Sequence, residues 1–181
     1  MHAPDGTHAV VRRPAGGPLR RFLVSHFGSR RVSRVIYGSI IGLALVVALE
    51  VHPPAAGVVI ATLLGTAVAV ALAELYSEVV GFKTGERRKV SRSELRDLGA
   101  DTAAVAFGIA FPAVFFVLAA TSVLENEAAF TAAKWTGLGL IGLYGFAGAR
   151  LSGAGVLVSL LQAVAVALIG ALLIALKALV H

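Results

Sequence analysis

Two glutamates four positions apart stand in an otherwise apolar part of the chain. The spacing of Glu74 and Glu78 places both side chains on one face of a helix. A carboxylate inside hydrocarbon is costly, and two neighbouring carboxylates repel each other unless they hold a proton or a cation. Tyr76 and Ser77 add oxygen atoms, which suit protons and hard cations. These four residues are the candidate ion- and proton-binding site, with Glu74 and Glu78 as the metal ligands.

Each acidic residue also has a simpler interpretation. Glu78 lies near the end of its predicted helix, where it pairs with Lys83 or Arg87 at the membrane interface. Glu74 lies roughly 12 Å from that end, so interfacial pairing fits it less well. Glu50 ends an earlier apolar stretch and is expected at the outer surface, with a place along an outer ion pathway as the alternative.

Five apolar stretches must position these residues. The chain of 181 residues is 57% hydrophobic and 14% charged, whereas soluble domains carry about 25% charged residues. Each stretch approaches or exceeds the roughly 20 residues that a helix needs to cross a bilayer, and no alternation indicates barrel strands. We therefore expect an all-α integral membrane protein with five transmembrane helices. They are predicted at about 33–50, 55–82, 102–124, 128–149 and 155–180.

The basic residues indicate how the helices are oriented. Seven arginines lie before or at the start of the first stretch, six cations lie between the second and third, and Arg150 follows the fourth. Five spans place all of these on one side, so the positive-inside rule predicts a cytoplasmic N-terminus and an external C-terminus. The cations flank spans, so no nucleic-acid partner is expected despite the net charge of +6. A cleavable signal peptide at the first stretch is the less favoured alternative, because about thirty residues precede it.

The parts outside the bilayer are short. Residues 1–17 are rich in proline, glycine and charge, which predicts a disordered tail. Residues 18–32 form a basic amphipathic segment that is expected on the anionic inner leaflet, with a solvated basic tail as the alternative. The connection at 83–100 carries a basic patch on the cytoplasmic side. The patch consists of Arg87, Arg88 and Lys89.

Local signals predict details of the helices. Ser91 and Glu94 have the spacing of a capping box, after which Leu95 and Leu98 are expected to pack on the bundle. Pro112 should kink the third span, because it lacks an N–H and crowds the preceding turn.

Glycines mark close helix contacts in the fourth span. They recur at Gly139, Gly142, Gly145 and Gly148, with Gly137 nearby. Small residues let helix backbones approach each other in lipid. Packing within the bundle and a homodimer seam both remain open interpretations.

Catalysis is not expected. The chain has no cysteine, which excludes disulfides and thiolate ligands. No histidine lies within a predicted span to act as a base or nucleophile. We therefore expect no enzyme activity and no tightly bound cofactor.

Three segments resemble the vacuolar iron transporter family. Residues 37–43, YGSIIGL, resemble that family's F-G-x-N-D-G-L signature, and residues 73–77, AELYS, resemble its G-E-x-x-S motif. Residues 145–153, GFAGARLSG, resemble its G-A-x-x-x-R-x-x-G hairpin. The family also has five spans, a cytoplasmic N-terminus and an insertion between spans two and three. The resemblance extends over about residues 33–180.

The resemblance implies a homodimeric exporter of a divalent metal such as Fe²⁺ or Mn²⁺, exchanged for protons, in the inner (plasma) membrane of a bacterium. The family's glutamate falls at Glu74 and its serine at Ser77. Its span-one aspartate, however, falls at Ile41, which cannot bind a cation. Its methionine below the glutamate is missing, and the 83–100 connection is too short for its metal-binding domain.

Two functions are therefore expected from the sequence. The first is a divalent cation/proton transporter in which Glu74 is ligand and proton carrier. The alternative is a non-transporting membrane scaffold or accessory subunit, which binds a partner or anionic lipid through its basic cytoplasmic face. The change at Ile41 favours the alternative.

Overall fold

The computed structural model describes residues 29–85 and 91–180. These residues form six helices and no strand. The helices are α1 (Ser29–Leu49), α2 (Ala56–Gly85), α3 (Arg92–Ala110), α4 (Ala113–Ala120), α5 (Asn126–Leu151) and α6 (Val156–Val180). The predicted tail at 1–17, most of the interfacial segment at 18–32 and the basic patch at 87–89 lie outside the described residues.

Length and composition qualify two of the described helices as membrane spans. They are α1 over Arg31–Leu49 and α2 over Ala56–Gly81. Helices α3 and α4 qualify together as a third span, bent by 47°. The predicted all-helical fold is confirmed, whereas the count of five spans and the orientation of the termini stay predictions.

Helix α1 is central and meets α3 backbone to backbone. A Cβ atom at Gly108 of α3 would lie 2.6 Å from the carbonyl oxygen of Val35, and one at Gly42 would lie 3.0 Å from that of Ile109. Any side chain at these glycines would push the two helices apart. Gly38 faces Val105 in the same way. The residue numbers of the facing positions increase together along both helices, so the two helices run parallel.

The other helices surround this pair. Helix α2 packs on α3 and α4, and α5 packs on α1, α4 and α6. One apolar cluster joins Val59 and Leu63 of α2 to Phe116 of α4 and Phe130 of α5. The two phenylalanine rings meet edge to face, with centroids 4.8 Å apart, an arrangement that aromatic pairs favour.

The glycines of α5 divide into two groups. Gly145 faces Ala163 of α6, while Gly148 faces Val32 and Gly137 faces Leu43 of α1. These three serve packing within the bundle, as one of the two interpretations predicted. Gly139 and Gly142 would meet nothing within 4 Å of an added Cβ. The homodimer seam stays a prediction for their face.

The predicted bend at Pro112 and the predicted capping box at Ser91 are both confirmed. The chain bends at Pro112, between the end of α3 and the start of α4. The Ser91 hydroxyl accepts a hydrogen bond from the Glu94 N–H at 3.2 Å, and the Glu94 carboxylate accepts one from the Ser91 N–H at 2.7 Å. Leu98 is buried, but the prediction for Leu95 was wrong, because its side chain is exposed.

Candidate functional site

Glu74 and Glu78 lie on the face of α2 that packs into the molecule. Val59, Leu63 and Ala67 are buried on this face at four-residue intervals, and the two glutamates continue it further along the helix. The prediction that both carboxylates share one helix face is correct. The face is apolar toward the start of α2 and acidic toward its end.

Arg34 of α1 bridges the two carboxylates. Its Nη1 lies 2.7 Å from Oε2 of Glu74, and its Nη2 lies 2.6 Å from Oε1 of Glu78. A planar guanidinium presents its N–H groups in a fixed fork, so a single arginine can serve two acceptors at once. The exposed fractions are 29% for the Arg34 side chain, 17% for Glu74 and 34% for Glu78. The cluster is therefore partly buried and still reached by solvent.

Glu78 has a partner on another helix that the sequence did not predict. Arg34 donates to its Oε1, so a contact between helices brings together two residues far apart in the sequence. The predicted pairing of Glu78 with Lys83 or Arg87 stays a prediction, because the side chain of Lys83 and the whole of Arg87 lie outside the described residues.

The oxygen atoms of Tyr76 and Ser77 do not join the cluster. The Ser77 hydroxyl donates to the main-chain oxygen of Glu74 at 3.1 Å. Tyr76 is 73% exposed, and residues two positions apart point to opposite sides of a helix. Of the four predicted site residues, the structure brings together Glu74 and Glu78.

Glu50 lies at the other end of the bundle and also has a cationic partner. Lys134 of α5 donates to its Oε1 at 2.5 Å, and the side chains of the two residues are 22% and 21% exposed. Nearby, the Asn126 side chain donates to the main-chain oxygen of Pro54 at 3.1 Å. We call this the Pro54 end and the opposite one the Arg34 end.

Further contacts define the Arg34 end. Arg31 approaches Asp101 of α3 with an N···O distance of 3.9 Å. The contact between Gly148 and Val32 brings the last turns of α5 to the same level. Helices α1, α3 and α5 therefore place charged or capping residues at the same level as Glu74.

A charge-free layer separates the two ends. Along α1 it extends from Arg34 to Glu50, and along α5 from Lys134 to Arg150. Each interval of 16 residues corresponds to about 24 Å of helix. The hydrocarbon core of a bilayer is about 30 Å thick. Glu74 contacts Arg34, which marks one margin of this charge-free layer, and the depth of Glu74 in a bilayer stays a prediction.

The cluster is an ion-pair group of two carboxylates and one guanidinium. A cation that binds Glu74 and Glu78 has to displace the guanidinium of Arg34. Within 29–85 and 91–180, no group of three or more His, Cys, Asp or Glu side chains is arranged to hold a metal ion. Ile41, at the position of the family's aspartate, packs beside Ala67 and Val105.

Sequence reasoning missed the roles of Arg34 and Lys134. A signal for Arg34 was present, because it precedes Pro54 by 20 residues and Glu74 follows Pro54 by 20 residues. Two antiparallel helices joined at Pro54 must bring such positions to one level. For Lys134, the signal was a single cation inside an otherwise apolar stretch.

The fold and the site define an all-helical protein with two candidate membrane spans among its described residues, or three if the bent pair counts as one. Comparison with known protein families, with curated proteins and with solved structures finds no match to this chain.

Proposed function

We propose that this chain is a five-span protein of the bacterial inner membrane, with its Arg34 end in the cytoplasm. The charge-free layer of about 24 Å supports this placement. Exposed aromatic residues lie near both margins: Trp135 lies next to Lys134, and Tyr37 and Tyr76 lie near Arg34. Tryptophan and tyrosine favour the interfaces between membrane and water. The apolar, charge-free intervals in α5 and α6 support their assignment as spans.

In this proposal the protein is a non-transporting membrane scaffold or accessory subunit. The observation that carries it is the double contact of Arg34 with Glu74 and Glu78. These carboxylates were the main reason to expect an ion pathway. With a shared arginine at the membrane margin, they have a structural role that accounts for their presence.

The working surface of such a subunit is its basic cytoplasmic face. Arg92, Arg96 and Arg150 are exposed at the Arg34 end, and the sequence adds the basic patch Arg87, Arg88 and Lys89. Each basic residue near an anionic leaflet contributes about 1 kcal/mol to binding. We propose that anionic phospholipid headgroups are the primary ligand of this face, and that a cytoplasmic protein partner is the alternative ligand.

Lipid retention tests this surface. The protein is purified from membranes, and the phosphatidylglycerol and phosphatidylethanolamine that it retains are counted by native mass spectrometry. Changing Arg87, Arg88 and Lys89 to glutamine should selectively reduce retained phosphatidylglycerol. A matched control changes Arg12, Arg13 and Lys177 to glutamine, which removes the same charge outside the basic patch and outside the 18–32 segment. Equal retention in the two triple variants would exclude the basic patch as the lipid contact.

A divalent cation/proton transporter remains a second candidate, favoured by a different observation. Among the described side chains, two carboxylates face one arginine, so the described cluster carries one excess negative charge, and Glu74 and Glu78 are still partly exposed. In this candidate Arg34 occupies the place of the transported cation and is displaced by Fe²⁺ or Mn²⁺.

Reconstituted flux separates the two candidates. Proteoliposomes are loaded with a metal-sensitive dye and given Mn²⁺ or Fe²⁺ with and without a proton gradient. A scaffold gives the leak rate of protein-free liposomes. Proton-dependent flux that disappears in Glu74→Gln, but persists in the matched variant Glu125→Gln, would establish the transporter and reject the scaffold.

A further inference from the structure

The second half of α2 is attached to the bundle differently from the first. Val59, Leu63 and Ala67 are buried, whereas no α2 side chain described beyond Ala67 is. Among the described residues, Val70 is the last residue of α2 that packs against an apolar cluster. We call the segment Leu72–Gly81 the α2 arm.

The arm faces outward over much of its surface. Leu72 and Tyr76 are exposed, and Val80 is partly so. The half-buried positions of the arm carry Glu74 and Glu78 beside apolar side chains. The first half of α2 packs into apolar clusters with α3 and α4, whereas the two ion pairs of the arm end on the same guanidinium.

We propose that Arg34 is a latch that holds the α2 arm against α1, and that its release lets the arm swing outward while the Pro54 end stays packed. Both ion pairs depend on one side chain, so they are lost together. The partial exposure of all three residues lets water and lipid headgroups replace part of these contacts. Val59 and Leu63 are fully buried, whereas no described α2 side chain beyond Ala67 is buried, which places the hinge near Val70.

The arm is followed in the sequence by the 83–100 connection, which carries the basic patch. The latch and the movement of the arm do not depend on the proposed function.

Distance measurements between spin labels test the latch. The chain has no cysteine, so a pair of labels can be attached through Tyr37→Cys and Tyr76→Cys, one on α1 and one on the arm. A second pair, through Ala48→Cys and Val58→Cys, reports the Pro54 end. Both label pairs are measured in lipid nanodiscs by double electron–electron resonance, with and without Arg34→Gln.

Arg34→Gln should broaden the 37–76 distribution and move it to longer distances, while the 48–58 distribution stays as in the parent. Lys134→Gln is the matched control, because it breaks an ion pair of similar exposure at the other end. It should leave the 37–76 distribution unchanged. Coincident 37–76 distributions in the parent and in Arg34→Gln would overturn the latch.

A milder variant keeps the test decisive if Arg34→Gln does not fold. Glu78→Gln removes one ion pair and leaves the contact of Arg34 with Glu74, so it should give a smaller shift in the same direction. If Arg34→Gln is unfolded and Glu78→Gln gives the parent distribution, the latch is rejected. The label distances are independent of lipid retention and flux. The latch can therefore be rejected while the proposed function stands, and the proposed function can be rejected while the latch stands.

Discussion

At the scale of single residues, Glu74 and Glu78 share one arginine without being equivalent. The Glu74 side chain is half as exposed as that of Glu78, 17% against 34%. Losing a charged partner costs more where solvent is excluded. We expect Glu74→Gln to lower the free energy of unfolding by about 1–3 kcal/mol, and Glu78→Gln by less than about 1 kcal/mol.

Reversible unfolding in mixed micelles measures this difference. Glu125→Gln is the control, because Glu125 is exposed and its side chain makes no cap hydrogen bond. It should leave the unfolding midpoint where it is. Equal losses for Glu74→Gln and Glu78→Gln would show that burial does not separate the two contacts.

Gly108 offers a second test at this scale. An added methyl group there would lie 2.6 Å from the carbonyl oxygen of Val35, so α1 and α3 must move apart to admit it. We expect Gly108→Ala to cost about 1–3 kcal/mol of stability. Gly65→Ala is the matched control, because nothing lies within 4 Å of its added Cβ. Thermal unfolding should show a lower midpoint for Gly108→Ala and no loss for Gly65→Ala.

The sequence predicted one half of the ion-pair cluster and missed the other. The four-residue spacing of Glu74 and Glu78 is a property of one helix, so a single stretch of sequence reveals their common face. Their pairing with Arg34 is a property of two helices. It depends on how α1 and α2 are aligned around Pro54, which hydrophobicity and charge counts do not contain.

At the scale of helices, the same distinction holds. The capping box at Ser91 and the bend at Pro112 were predicted because their causes are local. The Ser91 side chain accepts a hydrogen bond from a backbone N–H, and the ring of Pro112 removes a backbone N–H from the helix. The exposure of Leu95 was not predicted. It depends on how far the start of α3 extends beyond the other helices, which is a matter of packing.

The capping box leads to a prediction about the first turn of α3. Ser91→Ala removes the hydroxyl that accepts from the Glu94 N–H, and loss of such a cap costs about 1 kcal/mol. The first turn of α3 should then open more often. Amide hydrogen exchange at Glu94 and Leu95 should become roughly fivefold faster, the factor that corresponds to about 1 kcal/mol.

Ser93→Ala is the control for this experiment. The Ser93 hydroxyl contacts the Ser91 hydroxyl at 2.9 Å but does not accept from the helix backbone, so its removal should change exchange much less. Unchanged exchange in Ser91→Ala would mean that packing of Leu98, and not the cap, fixes the start of α3.

At the scale of the whole molecule, charged residues mark two levels with an apolar layer between them. Arg34, Glu74 and Asp101 mark one level, and Glu50 and Lys134 mark the other. Ion pairing at each level reduces the cost of placing charges beside hydrocarbon. The layer contains the close glycine contacts of α1 and α3, which lie where backbone proximity helps most in lipid.

The last prediction concerns how this layer sits in the bilayer. Single cysteines replace Asp97 and Arg150 at the Arg34 end and Glu127 at the Pro54 end, and a fourth cysteine is appended after His181. With five spans and a cytoplasmic N-terminus, a membrane-impermeant maleimide should label the Glu127 and C-terminal positions in intact cells. The Asp97 and Arg150 positions should react only after permeabilisation, because they are cytoplasmic. The Arg150 position is decisive for α5: if it reacts from outside together with the Glu127 position, α5 does not cross the membrane.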